Sequence, residues 1–133
     1  MKLNRLEPYT LAALRIVGGF LFSLHGFQKL FGMFGGLGGS GAQATLGSLT
    51  WFAGVLECFG GLLIVAGLFT RPVAFLLSGQ MAVAYFMRHA PRGFWPNLNG
   101  GELAALYCFL FLFITAAGPG AFSLDRSVRG KRK

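Results

Sequence analysis

One carboxylate stands alone in a long apolar run. Leu49 to Phe69, LTWFAGVLECFGGLLIVAGLF, contains Glu57 and no other charged residue. A helix of this length spans roughly 30 Å, the hydrocarbon core of a bilayer. A carboxylate near its middle costs on the order of 2.5–3.5 kcal/mol on insertion scales, so it needs a partner, a proton or both. Upstream, His25 and Lys29 are four residues apart and share a helical face, with Arg15 within about 80° of them. Downstream, Glu102 opens another apolar run, preceded by a loop with His89 and Trp95. Histidine and glutamate can exchange protons near neutral pH or hydrogen-bond a polar head group. Glu57 is expected to pair with Lys29, His25 or Arg15, and Glu102 with Arg88 or Arg92.

These groups sit on or between four predicted spans, at about residues 10–31, 49–69, 72–88 and 102–117. Gly32 to Ser48 carries seven glycines and no charge, and reads as a flexible or re-entrant connection. Thr70-Arg71-Pro72 reads as a tight turn joining spans two and three into an antiparallel hairpin. The third span, Pro72 to about Met87, is at the short limit for crossing a bilayer. Gly118-Pro119-Gly120 stops the last span, and the basic tail, 118–133, is expected to be mobile. With both ends cytoplasmic, eight basic residues fall inside and three outside, as the positive-inside rule requires. In that topology both histidines, Glu57 and Glu102 fall in the outer half of the bundle. Glycines at 54, 60 and 61 turn the Glu57 face toward other helices rather than lipid.

Composition agrees with this class. Hydrophobic residues make up 54% of the 133 and charged residues 12%, against about 25% charged in soluble domains. Fifteen phenylalanines would overfill the core of an aqueous globule this small. The expected fold is all-α, a single integral membrane four-helix bundle over 1–133 with both termini cytoplasmic. The net charge of +8 does not indicate nucleic acid, since five of the twelve basic residues crowd the last eight positions. The first apolar run is read as a retained span rather than a signal peptide, because it is long and carries Arg15 and His25. Cys58 and Cys108 lie in separate spans, without a C-x-x-C motif, and read as small apolar fillers.

Each polar residue also has a structural explanation. A buried ion pair can simply fix helix register. Glu102 suits a helix N-terminus as a capping charge. Trp95 suits an interfacial anchor, and Arg15 can snorkel toward the cytoplasmic surface. Tyr107 and the Phe109-Leu110-Phe111-Leu112-Phe113 run suit packing and lipid contact. A metal site drawn from His25, His89, Glu57 and Glu102 has no spacing to support it, and none is expected.

Four segments together resemble the DoxX family of small four-span bacterial inner-membrane proteins. They are HGFQKLFG (His25–Gly32), ECFGGLLIVAGLFTRPVA (Glu57–Ala74), HAPRGFWPNLNGGELAALY (His89–Tyr107) and GPGAFSLD (Gly118–Asp125). The resemblance implies a four-helix membrane bundle with cytoplasmic ends, and a link to membrane redox complexes and quinone chemistry. His25, Lys29, Glu57, His89, Trp95 and Glu102 lie in the matching segments and form the candidate binding set. No haem, flavin or iron–sulfur signature is present, so electrons would come from a partner. Three functions are thus open. The first is a quinone- or small-molecule-binding redox accessory, in a larger membrane redox complex or as a homo-oligomer. The second is a structural or assembly subunit of a larger membrane complex. The third is a small transporter that needs oligomerisation, since no inverted repeat is evident.

Overall fold

The computed structural model describes residues 3–130; Lys2, Lys131, Arg132 and Lys133 of the charge count lie outside the described residues. Among these the fold is all-helical, its only extended pairing an isolated bridge between Leu37 and Ala42. After a 3-10 turn, Leu3–Arg5, α1 runs Glu7–Phe31 and α2 Leu49–Ala66. Next come α3, Thr70–Ala84, and a short α4, Pro96–Asn99. The last two are α5, Glu102–Ala117, and α6, Leu124–Gly130. Helices α1 and α2 are long and apolar enough to cross a membrane, and α5 is a shorter apolar helix.

Local chemistry explains the boundaries. Glu7 and Pro8 occupy the first turn of α1, where an acidic charge meets the helix dipole and proline's missing N–H is not needed. Gly32, at φ 66°, closes α1 in the left-handed conformation that glycine adopts without strain. The Ser48 hydroxyl caps α2 by accepting from the Trp51 N–H at 3.1 Å.

Four expectations need correction. The second helix ends at Ala66 rather than Phe69, because Gly67 at φ 67° caps it and the Leu68 N–H bonds back to the Leu63 carbonyl. Thr70-Arg71-Pro72 is the first turn of α3, not the turn between helices; Pro72 fits there because first-turn N–H groups have no helical acceptor. The glycine-rich connection is a folded turn: the Ala44 N–H bonds to the Lys29 carbonyl at 2.7 Å and Gln28 Nε2 to the Gly36 carbonyl at 3.0 Å. The tail is held over 118–130, where the Ala121 N–H bonds to the Pro8 carbonyl and the Asp125 N–H to that of Gly67.

The helices pack as two antiparallel pairs, α1 with α2 and α3 with α5. Small residues set the first pairing. A Cβ on Gly61 would meet the Gly19 carbonyl and Ser23 Cβ at 2.8 Å, and one on Gly26 would overlap the backbone of Cys58. Phe22, Ile64, Ala74, Leu77, Met81, Tyr107, Phe111 and Ile114 fill the centre. Around it the surface is apolar: Phe20, Phe59, Phe75, Phe109 and Phe113 are all more than half exposed. In water so much exposed apolar surface is unfavourable, whereas hydrocarbon accepts it.

Candidate functional site

Lys29 Nζ donates to both carboxylate oxygens of Glu57, each at 2.5 Å, with Glu57 3% exposed. Gln80 of α3 completes the cluster, its Nε2 donating to Glu57 Oε1 at 3.1 Å. Two glycines bring these groups together. The Lys29 stem crosses Gly54, where an added Cβ would stand 3.0 Å from Lys29 Cβ, and Gly26 lets α1 reach the Cys58 backbone. Glu57 also lies in a π-helical turn, Leu56–Gly60, that widens the middle of α2; such turns occur often at functional sites.

The cluster lies on the wall of a half-open cavity of about 430 Å³. Phe22, Met81, Ala84, Leu103 and Tyr107 give it apolar walls, and His25 joins Lys29, Glu57 and Gln80 among the polar groups. The imidazole of His25 stands edge-on to the Tyr107 ring, centroids 6.4 Å apart. At the rim, a second π-helical turn, Tyr85–His89, carries α3 onward and presents Arg88 and His89. Arg88 Nη2 donates to Thr50 Oγ1 at 3.2 Å, linking the end of α3 to the start of α2. His89 Nδ1 lies 3.3 Å from the Asn99 carbonyl oxygen.

The loop behind His89 is organised by Asn99, buried at 2% exposure. Its Nδ2 donates to the Gly93 carbonyl at 2.9 Å and to Tyr85 Oη at 3.3 Å, and its Oδ1 accepts from the Gly101 N–H at 2.8 Å. Both polar atoms of that amide are thus used, within the loop and on Tyr85 of the preceding π-helical turn, which orders the segment leading into α5.

Of the six candidate residues, His25, Lys29, Glu57 and His89 line this one cavity. Trp95 is 62% exposed and Glu102 is exposed, and neither is among the lining residues. The pair expected between Glu102 and Arg88 or Arg92 does not form among the described residues, where Lys29–Glu57 is the one ion pair. Arg88 turns to Thr50 instead.

Arg15 neither pairs with Glu57 nor snorkels. It is wholly buried at the other end of the bundle. Its Nε donates to the Pro119 carbonyl at 2.7 Å, and Nη1 to those of Ile64 and Val65 at 2.7 and 2.5 Å. Nη2 donates to Ala121 and Phe122 at 3.1 and 2.9 Å. The guanidinium therefore satisfies carbonyls at the C-terminal end of α2, where the helix dipole favours a cation. Nearby, Asp125 accepts from the Phe69 and Thr70 N–H groups at 2.9 Å each and caps α3. Partial burial pushes the Asp125 carboxyl up, but these bonds and the neighbouring Arg129 outweigh it and hold the carboxyl below the ordinary aspartate range.

Sequence reasoning passed over Gln80 and Asn99 and read Tyr107 only as packing. Gln80 left a signal, a lone amide in an apolar run, of the kind that marks a polar contact inside a membrane bundle. Asn99 precedes two glycines in a turn, where a side chain that bonds its own backbone is common.

A family model described as DoxX matches residues 10–90. An uncharacterized protein of Haemophilus influenzae is 47% identical over 130 residues, covering 92% of this chain and 93% of the relative. Two Escherichia coli proteins, inner membrane proteins YqjF and YphA, are each 31% identical. They cover 97% and 90% of this chain and 99% and 91% of their own lengths. No solved structure matches the chain.

Proposed function

Because the chain belongs to the DoxX family, we propose that it is a multi-pass inner-membrane protein, tied to a membrane redox system, that holds a quinone head group beside Glu57. The exposed phenylalanines support the membrane setting, as do relatives named as inner membrane proteins. Four crossings, by α1, α2, α3 with its π-helical extension, and α5, put both termini on one face. The excess of basic residues there makes that face cytoplasmic.

The observation that carries the cofactor reading is the Lys29–Glu57–Gln80 cluster on the wall of a largely apolar cavity. Its volume of about 430 Å³ suits a ring-sized ligand, and apolar walls with a few convergent polar groups are the usual make-up of such sites. A quinone, when bound, supplies the interchange of carbonyl and hydroxyl groups with two electrons and two protons. Lys29 is placed to donate to a carbonyl oxygen. Gln80 Oε1, buried without a partner in the described structure, is an acceptor that a ligand hydroxyl would satisfy. Glu57 and His25 are the groups able to take or return a proton.

The same cluster favours a second reading. Lys29 neutralises Glu57 from a helix locked in place by Gly26, as a purely structural pair would in an assembly subunit. Native purification in mild detergent, with quinone extraction and absorption spectra, separates the two. Quinone carried by the wild type and lost in Glu57→Gln or His25→Ala supports the cofactor site. A wild-type protein free of quinone that travels with a larger complex overturns it and leaves the assembly role.

A further inference from the structure

At the end of the bundle opposite the cavity, a second pocket of about 220 Å³ is lined by Phe69, Thr70, Arg71, Pro72, Pro119, Asp125, Arg126 and Arg129. We propose that it binds the phosphate of an anionic phospholipid from the adjoining leaflet. Three arginines and one aspartate line it, and that carboxylate is already engaged by the Phe69 and Thr70 backbone N–H groups at the start of α3. Arg71 bonds through Nη1 to the Thr115 and Ala116 carbonyls, so its charge is fixed in place. Arg126 and Arg129 are exposed and make no side-chain hydrogen bond or ion pair among the described residues. Guanidinium forks of this kind suit phosphate oxygens.

The surroundings suit a lipid rather than a free ion. Phe69 is 63% exposed at the pocket, Phe122 is 76% exposed, and Tyr9 packs on Phe122 with centroids 5.7 Å apart. Aromatic side chains at this level lie where head groups meet acyl chains. On α6, Leu124 and Val128 share one face and Arg126 and Arg129 the opposite one, as in a helix lying along a charged membrane surface. The inference rests on the membrane setting of the proposed function and is independent of the quinone reading.

The test is thermal unfolding of the full chain in neutral detergent, with added phosphatidylglycerol, phosphatidylcholine or inorganic phosphate. Phosphatidylglycerol is expected to raise the Tm by about 4 °C or more and phosphatidylcholine to leave it unchanged. R126Q/R129Q, which removes two exposed charges that make no side-chain hydrogen bond or ion pair among the described residues, is expected to lose at least half of that rise. An equal rise with phosphatidylcholine, a rise reproduced by inorganic phosphate, or a double variant that keeps the full rise would each overturn the proposal. Glu57→Gln is expected to keep the lipid effect, so failure of the quinone site and failure of the lipid site are told apart.

Discussion

Gly26 of α1 lies against the backbone of Cys58, in the π-helical turn of α2, with no room for a Cβ. Cys58 is next to Glu57 and Gly26 lies one turn before Lys29, so this contact sets the distance at which the ion pair closes. Gly26→Ala must therefore push the helices apart. A loss of about 1–3 kcal/mol is expected, the usual range for overpacking, and loosening of the Lys29–Glu57 pair with it. Chemical denaturation in detergent micelles reads the first effect, and a wild-type transition in the variant would contradict it.

The ion pair itself should behave as a coupled unit. Lys29→Met leaves a nearly buried carboxylate with only Gln80 as partner, a change expected to cost about 3 kcal/mol, at the low end for buried pairs because Lys29 is 25% exposed. Lys29→Met combined with Glu57→Gln removes both charges and should lose less than the two single changes together. A double-mutant cycle on unfolding free energy measures the coupling. Strict additivity would mean the two side chains do not depend on each other.

Arg15 is expected to be among the least replaceable residues in the chain. Arg15→Met takes the donor from five backbone carbonyls: that of Ile64 keeps the Gly67 N–H, but that of Ala121 is bonded in a buried position, and leaving such an acceptor unpaired costs about 1–3 kcal/mol. Arg15→Lys keeps the charge but loses the planar fork, so it should fold with a lowered Tm. Limited proteolysis of membranes should cut Arg15→Met readily and Arg15→Lys little. Equal resistance in both variants would show that the carbonyls find other partners.

Asp125 makes stability depend on acid. Its folded carboxyl titrates below the ordinary aspartate range, so between the folded and unfolded values the unfolded chain binds more protons and stability rises with pH. The contribution is complete above the unfolded value and is lost as pH falls through the folded one. Asp125→Asn should flatten that part of a Tm-against-pH curve while leaving the rest unchanged. A variant with the wild-type slope would place the acid sensitivity elsewhere.

Local composition accounts for part of this architecture. The apolar runs, the helix around Glu57, the start of α5 at Glu102 and its end at Ala117 follow from hydropathy and from glycine and proline stops. That Glu57 needs a partner, a proton or both follows from the cost of a charge among apolar side chains. Tertiary structure decided which cation. Arg15 and Lys29 lie on related azimuths of α1, but fourteen residues separate them, roughly 21 Å of helical rise. Only the depth at which α1 meets α2, set by Gly26 against Cys58, puts Lys29 beside Glu57 and Arg15 at the far end of α2. Gln80 and Tyr107 enter the cavity through the packing of α3 and α5, and although a lone amide in an apolar run marks Gln80 as polar, its sequence does not name Glu57 as its partner. Azimuth and hydropathy belong to a single helix; relative depth belongs to a pair, and packing alone fixes it.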